Sequence, residues 1–281
     1  MNFRKFGAVT CLAMLFNAFP FILDSGVAFA AEVPEPNADL AYDLAQTAQN
    51  PVANVISLPF QNNTNFHFGP LEKTQNIMNI QPVIPFSLGE NWNLITRTIL
   101  PVISQPALFP GDDRTFGLGD TVFTGFLSPA NPGRIIWGAG PVLLLPSATD
   151  EKLGTEQWGA GPSAVALTSR GPWLFGVLGN HIWSFAGESD RSDVNTTLIQ
   201  PFINYNFPGG WFLTSSPIIT ANWEADSSQT WTVPLGGGGG RLFFIGRQPV
   251  NVSAQAFYNA EKPDFGADWS VRLSVQFLFP R

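Results

Sequence analysis

Val271, Leu273, Val275, Phe277 and Phe279 alternate with Arg272, Ser274 and Gln276 at the C-terminal end of the sequence. Alternation with a period of two makes a strand with one apolar and one polar face. Two architectures use such a strand. A soluble sandwich buries the apolar face and wets the other. A closed membrane barrel turns the apolar face to lipid and the polar face to its lumen, and an aromatic-ended strand at the C-terminus is how outer-membrane barrels close.

The start of the sequence points to export. Arg4 and Lys5 precede an apolar stretch from Phe6 to Leu23, and Ala28-Phe29-Ala30 supplies the small residues of a cleavage site. This pattern predicts a signal peptide over 1–30, with Ala31 opening the mature chain. Asn17, Pro20 and Asp24 interrupt or end the apolar stretch, which argues against a membrane helix. Cleavage removes Cys11, the single cysteine, so neither disulfides nor thiol chemistry are expected afterwards. The chain carries a net charge of −7, which makes nucleic acid a poor partner. No other stretch supplies the roughly 18 apolar residues of a helical span. A membrane form therefore has to be a barrel, because only helices and closed barrels satisfy every backbone group in lipid.

Residues 31–51 form a separate extension. Ala31 to Asn37 is rich in proline and acid, and Asp39 to Gln49 holds good helix formers that stop before Pro51. A short helix is expected there, and the barrel is expected over 52–281. From Val52 onward twelve strand-like segments follow: 53–69, 74–88, 92–106, 117–128, 134–147, 157–168, 173–187, 193–207, 211–226, 230–245, 250–261 and 268–279. Tight turns occupy every second connection, at Gly89-Glu90-Asn91, Pro129 to Gly133, Arg170-Gly171-Pro172, Pro208-Gly209-Gly210 and Gly246 to Pro249. The connections between them are mostly longer and acidic, with Asp112, Asp113, Asp150, Glu151, Glu188, Asp190, Asp193, Asp226, Asp264 and Asp268. Short periplasmic turns and long outer loops are the barrel pattern.

Tryptophan supports it independently. Trp92, Trp137, Trp173 and Trp211 lie at or after short turns; Trp158, Trp183, Trp223, Trp231 and Trp269 lie beside long loops. Indole prefers the membrane–water interface, so these residues are expected to form two belts. A sandwich would bury several at mid-strand instead. The polar rows of the strands then predict a lumen lined mostly by amides and hydroxyls. Asn63, Gln81, Arg97, Gln200, Asn204, Asn222, Gln255 and Arg272 are its candidate lining residues, with Arg97 and Arg272 the inner cations. Prolines inside strands, such as Pro82, Pro217 and Pro234, are expected at bulges or near rims. The run Gly236 to Gly240 is expected to mark a sharp bend or a place where another segment, such as the N-terminal helix, packs on the wall.

Catalytic constellations are poorly served. His67 shares a polar face with Gln61, Asn63 and Asn65, and His181 shares a face with Val177, Trp183 and Phe185. No Gly-x-Ser-x-Gly elbow occurs. The two histidines lie far apart, which speaks against zinc, and acidic loops are ordinarily just solvated. No cofactor, metal or catalytic residue is expected.

From Ile199-Gln200-Pro201-Phe202-Ile203-Asn204-Tyr205-Asn206-Phe207-Pro208 through Ser215-Ser216-Pro217-Ile218-Ile219-Thr220-Ala221-Asn222-Trp223-Glu224 and Trp231-Thr232-Val233-Pro234, the sequence resembles a family of bacterial outer-membrane barrels. Ile80 to Pro85, Trp92 to Thr98 and the Val275 to Pro280 ending extend the resemblance over nearly all of 40–281. The family is grouped with the phenol-degradation (MetA-pathway) barrels, whose members are often labelled "transporter" or "neuromedin U". The resemblance implies a channel and brings no substrate and no catalytic residues. Together these readings predict an all-β protein: a twelve-stranded transmembrane antiparallel barrel in the outer membrane of a Gram-negative cell, passing small solutes, hydrophobic or aromatic ones included. Its expected partners are outer-membrane lipid, that solute, and the barrel-assembly machinery through the C-terminal strand. An outer-membrane lipid enzyme built on His67, and a soluble exported sandwich, remain the competing readings.

Overall fold

Turn chemistry every ten to fifteen residues cuts the chain into strands too long for a typical sandwich and suited to crossing a bilayer at a tilt. The computed structural model describes residues 37–280; the expected export signal and residues 31–36 lie outside them. The strands are β1 (Ile56–Phe68), β2 (Lys73–Ile80 and Val83–Leu88), β3 (Trp92–Gln105), β4 (Thr115–Leu118 and Thr121–Pro129), β5 (Ile136–Leu145) and β6 (Gln157–Arg170). They continue as β7 (Trp173–Gly187), β8 (Asn195–Asn206), β9 (Trp211–Ser215 and Ile219–Asn222), β10 (Trp231–Ile245), β11 (Gln248–Glu261) and β12 (Trp269–Phe279).

Each strand pairs antiparallel with its neighbours in the chain, and the last pairs with the first: Ile56 faces Phe279 and Phe66 faces Trp269. The sheet is therefore a closed twelve-stranded barrel without an edge, and every ladder hydrogen bond can be made inside it. Among the described residues no helix is long and apolar enough to cross a membrane.

Register sets the two faces. Gln61 pairs with Ser274 and Asn79, Asn79 with Pro101, and Gln255 with Gly238 and Arg272; these point inward. Leu273, Val275, Leu213, Leu235, Phe175, Val177 and Leu143 point outward and are exposed. Exposed leucine in that number needs an apolar solvent, so the outer wall is built for lipid. Polar side chains on the outer rows satisfy one another: Asn62 and Asn76 exchange amide hydrogen bonds at 2.8 and 3.0 Å. All nine tryptophans lie on outward rows near strand ends, with Trp92 edge-on to Trp137 at one rim and Trp223 edge-on to Trp231 at the other.

The wall bends where glycine faces inward. A Cβ added at Gly140 would run into the Gly125 carbonyl oxygen, and one added at Gly238 into that of Ala254. Neighbouring strands approach too closely there for any side chain on the concave face. Two of the strand prolines interrupt their strands in mid-wall instead of standing at bulges or rims: Pro82 divides β2 and Pro217 divides β9, with the register unchanged across each break. Pro234 sits at a register shift between β10 and β11.

Three further expectations change. The first strand begins at Ile56 rather than 53, because Val52, Ala53 and Val55 are buried inside the barrel instead of forming its wall. The inner wall is also only half polar. On β3 to β8 the inward rows carry Ile95, Phe126, Val165, Leu167, Leu174, Leu178 and Phe202, which pack into one buried cluster with Val52. Runs such as Val142-Leu143-Leu144-Leu145 are apolar on both faces, so alternation does not report their inner side. Finally, His67 leaves the inner row, because the β1–β2 register shifts between Asn65 and Phe68 and His67 has a φ of 54°.

Candidate functional site

The helix α1 (Ala38–Ala48) starts where Asn37 caps it, accepting a hydrogen bond from the Leu40 amide at 2.7 Å. Its small face seats it. Ala41 and Ala45 are buried against Phe212, Leu242 and Leu278, inward residues at the short-turn ends of β9, β10 and β12. From its other side Tyr42 and Gln46 donate to the Gly171 carbonyl in the β6–β7 turn, both at 3.3 Å. Gln49 and Asn206 exchange two amide hydrogen bonds at 2.8 and 3.1 Å. The helix therefore reaches from one side of the short-turn mouth to the other. Pro51 ends it, and Val52 turns up into the apolar cluster, with a methyl 3.0 Å from where a Cβ on Gly138 would sit. Burying one valine contributes about 1.5–3 kcal/mol; Val52 and Val55 both do so, at 5% and 6% exposure.

Above this floor lies a cavity of about 200 Å³, lined by Gln49, Asn50 and Ala53 of the plug and by Gln81, Arg97, Gln200, Asn204 and Gln255 of the wall. A smaller space of about 70 Å³ continues towards the long-loop end, past Asn79, Thr124, Asn180 and Ile218. Gln61, Gln81, Arg97, Leu178 and Gln200 border both, so this ring is the neck. Within it Arg97 donates to Gln81 Oε1 at 2.6 Å, and apolar Leu178 lies beside Gln200, its partner in the ladder. Asn251 Oδ1, also on the cavity wall, is buried and has no hydrogen-bond partner among the described residues.

Arg272 anchors the wall beside the cavity. It is 7% exposed, donates to Asn63 Oδ1 at 3.0 Å and to the Ser216 carbonyl at 2.8 Å, and stacks over Phe257 at 4.8 Å. Gln255 Oε1 accepts from the Ser216 amide at 3.2 Å and its hydroxyl at 3.0 Å. These two side chains tie down Ser216-Pro217-Ile218, the break in β9, and Ile218 borders the upper cavity. An uncompensated buried guanidinium is costly; here the displaced backbone supplies its acceptor.

The structure thus brings Gln81, Arg97, Gln200, Asn204 and Gln255 to one cavity, and Asn63 and Arg272 to the strap beside it. Asn222 stands apart: it is exposed at the long-loop rim, where its side chain accepts from the Glu224 amide at 3.2 Å. Sequence reasoning did not find the plug contacts Gln49, Val52 and Asn206, and the polarity of Gln49 and Asn206 on opposite sides of the chain carries no signal of their pairing.

The two histidines lie apart, each in its own contacts. His67 pairs with Asp268 at 2.9 Å at the exposed rim, and Lys262 reaches the same carboxylate at 3.2 Å. Hydrogen bonds from His67 first, then Lys262, hold the Asp268 carboxyl below its usual range. His181 faces outward, and its Nδ1 lies 2.7 Å from the Thr197 hydroxyl. Among the described residues no serine is hydrogen-bonded to either ring and no three potential metal ligands gather.

No family model matches the chain, and no curated protein does. Among solved structures, an outer-membrane channel from Pseudomonas putida F1 is similar in fold, with a TM-score of 0.61 and 16% identity over 80% of this chain and 94% of that one. Outer-membrane phospholipase A from Escherichia coli matches at a TM-score of 0.43 and 13% identity, over 85% of this chain and 98% of that one. The first likeness places this chain in the outer-membrane barrel fold.

Proposed function

We propose that this protein is a passive outer-membrane channel for small amphipathic solutes, aromatic ones included, held shut from the short-turn side by its own N-terminal segment. The observation that carries the reading is the mixed neck: Gln81, Arg97 and Gln200 offer hydrogen bonds, and Leu178, paired directly with Gln200 and clustered with Phe126 and Phe202, offers apolar surface beside them. A solute with a flat apolar body and one polar group can use both at once, while a strongly hydrated ion loses water against the apolar half. The Asn251 carbonyl oxygen adds an acceptor for a hydroxyl donor. The P. putida protein of similar fold is itself described as a channel.

In this reading the protein is not an enzyme, which is supported by the partners of its histidines: among the described residues neither ring hydrogen-bonds a serine. Its partners are membrane lipid along the outer wall, the solute, and the assembly machinery that reads the Leu273 to Phe279 strand. The test is single-channel recording of the refolded chain in a planar bilayer, with and without residues 37–51. Conductance steps that become frequent on removal of the plug, and whose anion preference falls in Arg97→Gln, are the expected result. A folded barrel silent in both forms overturns the channel; steps indifferent to Arg97 overturn the assigned neck.

A further inference from the structure

The outer wall carries a groove of about 900 Å³ between β9 and β12, and it is almost wholly apolar. Its form follows from register. Across the four strands one row reads Leu213, Gly239, Ala254, Leu273, so two residues with little or no side chain lie between two exposed leucines. The next row towards the middle of the wall keeps Gly237 beside Ala256. The next row towards the short turns reads Trp211, Arg241, Val252, Val275. Arg241 therefore stands within the lining, between Gly239 and Phe243, its guanidinium 4.8 Å over the Trp211 ring. Among the described residues no carboxylate forms an ion pair with it.

We propose that this groove is a binding site for one glycerophospholipid of the periplasmic leaflet, with an acyl chain over Gly239 and Ala254 and the phosphate on Arg241. Three features commit the site to that ligand. First, charge: a guanidinium with no ion-pair partner among the described residues, in an almost wholly apolar groove, matches a phosphate by bidentate hydrogen bonding. Second, level: Trp211 opens β9 at the short-turn rim, which faces the periplasm in outer-membrane barrels, and tryptophan marks the headgroup zone. Third, shape: from Arg241 towards the middle of the wall the floor is Gly239 and Ala254, rimmed by the exposed Leu213 and Leu273, which leaves a slot one acyl chain wide beside the guanidinium. A second copy of this chain could fill the apolar floor but would bring no phosphate to Arg241.

The test is native mass spectrometry of the refolded barrel, released from micelles doped with dioleoylphosphatidylglycerol or, separately, with dioleoylglycerol. Wild type is expected to retain one phosphatidylglycerol and not the phosphate-free lipid. Arg241→Gln lowers the retained fraction about tenfold, Arg241→Lys restores most of it, and Ala254→Phe, which fills the groove from an exposed position, abolishes retention. Heat-modifiable gel mobility verifies that each variant is folded. Equal retention by wild type, Arg241→Gln and Ala254→Phe overturns the site, as that is ordinary annular lipid. Equal retention of both lipids removes the phosphate from the assignment, and a dimer that Ala254→Phe dissociates makes a second copy the occupant.

Discussion

Val52→Ala should loosen the plug without touching the barrel wall. Val52 is 5% exposed and packs with Ile95, Phe126, Leu178 and Phe202 inside the lumen. Losing two methyl groups removes about 1.6 kcal/mol of transfer free energy, at about 0.8 kcal/mol per buried carbon. The cluster is held by strands that cannot collapse into the gap, so a cavity term brings the loss to about 2–3 kcal/mol. All of it falls on the closed state, because in the open state Val52 has left the cluster. At about 1.4 kcal/mol per factor of ten, the open-to-closed ratio should rise roughly 30- to 140-fold. Single-channel recording reads that ratio directly as open probability at low voltage. Gly138→Ala should act in the same direction, since its Cβ would sit 3.0 Å from a Val52 methyl. An open probability unchanged in both variants, from barrels shown to be folded by heat-modifiable mobility, would refute the assignment of Val52 as the latch.

Other outcomes follow from the same contacts. Gly238→Ala should sharply lower the yield of folded barrel, since its Cβ would meet the Ala254 carbonyl oxygen and the β10–β11 bend cannot open without breaking the ladder; urea-gradient refolding into micelles measures it. Arg272→Met should free the Ser216 to Ile218 strap by removing the donor to the Ser216 carbonyl, at a cost of about 1–3 kcal/mol for the orphaned acceptor, read as faster hydrogen exchange in β9. At the rim, the folded pKa of Asp268 lies below its ordinary 3.8, so the rim contact is fully present above that value and is lost as pH falls through the folded one. Amide exchange at Gly69 and Asp268, whose N–H groups bond across this rim, should therefore quicken in strong acid, and Asp268→Asn should quicken it at neutral pH; a loop equally protected throughout would dismiss the His67–Asp268–Lys262 tie.

The chain's local rules carried most of the architecture. Tight turns at alternate connections, with two-residue alternation between them, determine strand number, order and antiparallel sense, because each reports a local property of the backbone. They even place Gln81, Arg97, Gln200, Asn204 and Gln255 on the inner wall, since parity along a strand is enough to assign a face. Parity fails in two situations. Strands apolar on both faces, such as β5 and β7, hide the fact that half of the lumen is lined by hydrocarbon. A bulge resets the count, which is how His67 came to the rim.

What the sequence could not determine is everything that depends on two distant segments meeting. That Val52 sits under Gly138, that Gln49 answers Asn206 and that α1 crosses the mouth are matters of three-dimensional closure. The same holds for the outer groove, where Gly239 and Ala254 are unremarkable alone and form a floor only because the ladder sets them side by side between Leu213 and Leu273. Alternation, turn chemistry and aromatic placement are written residue by residue and decided that this chain is a barrel. Tertiary structure decided whether that barrel is open, because a lumen is the space left after all twelve strands and the plug have taken their places.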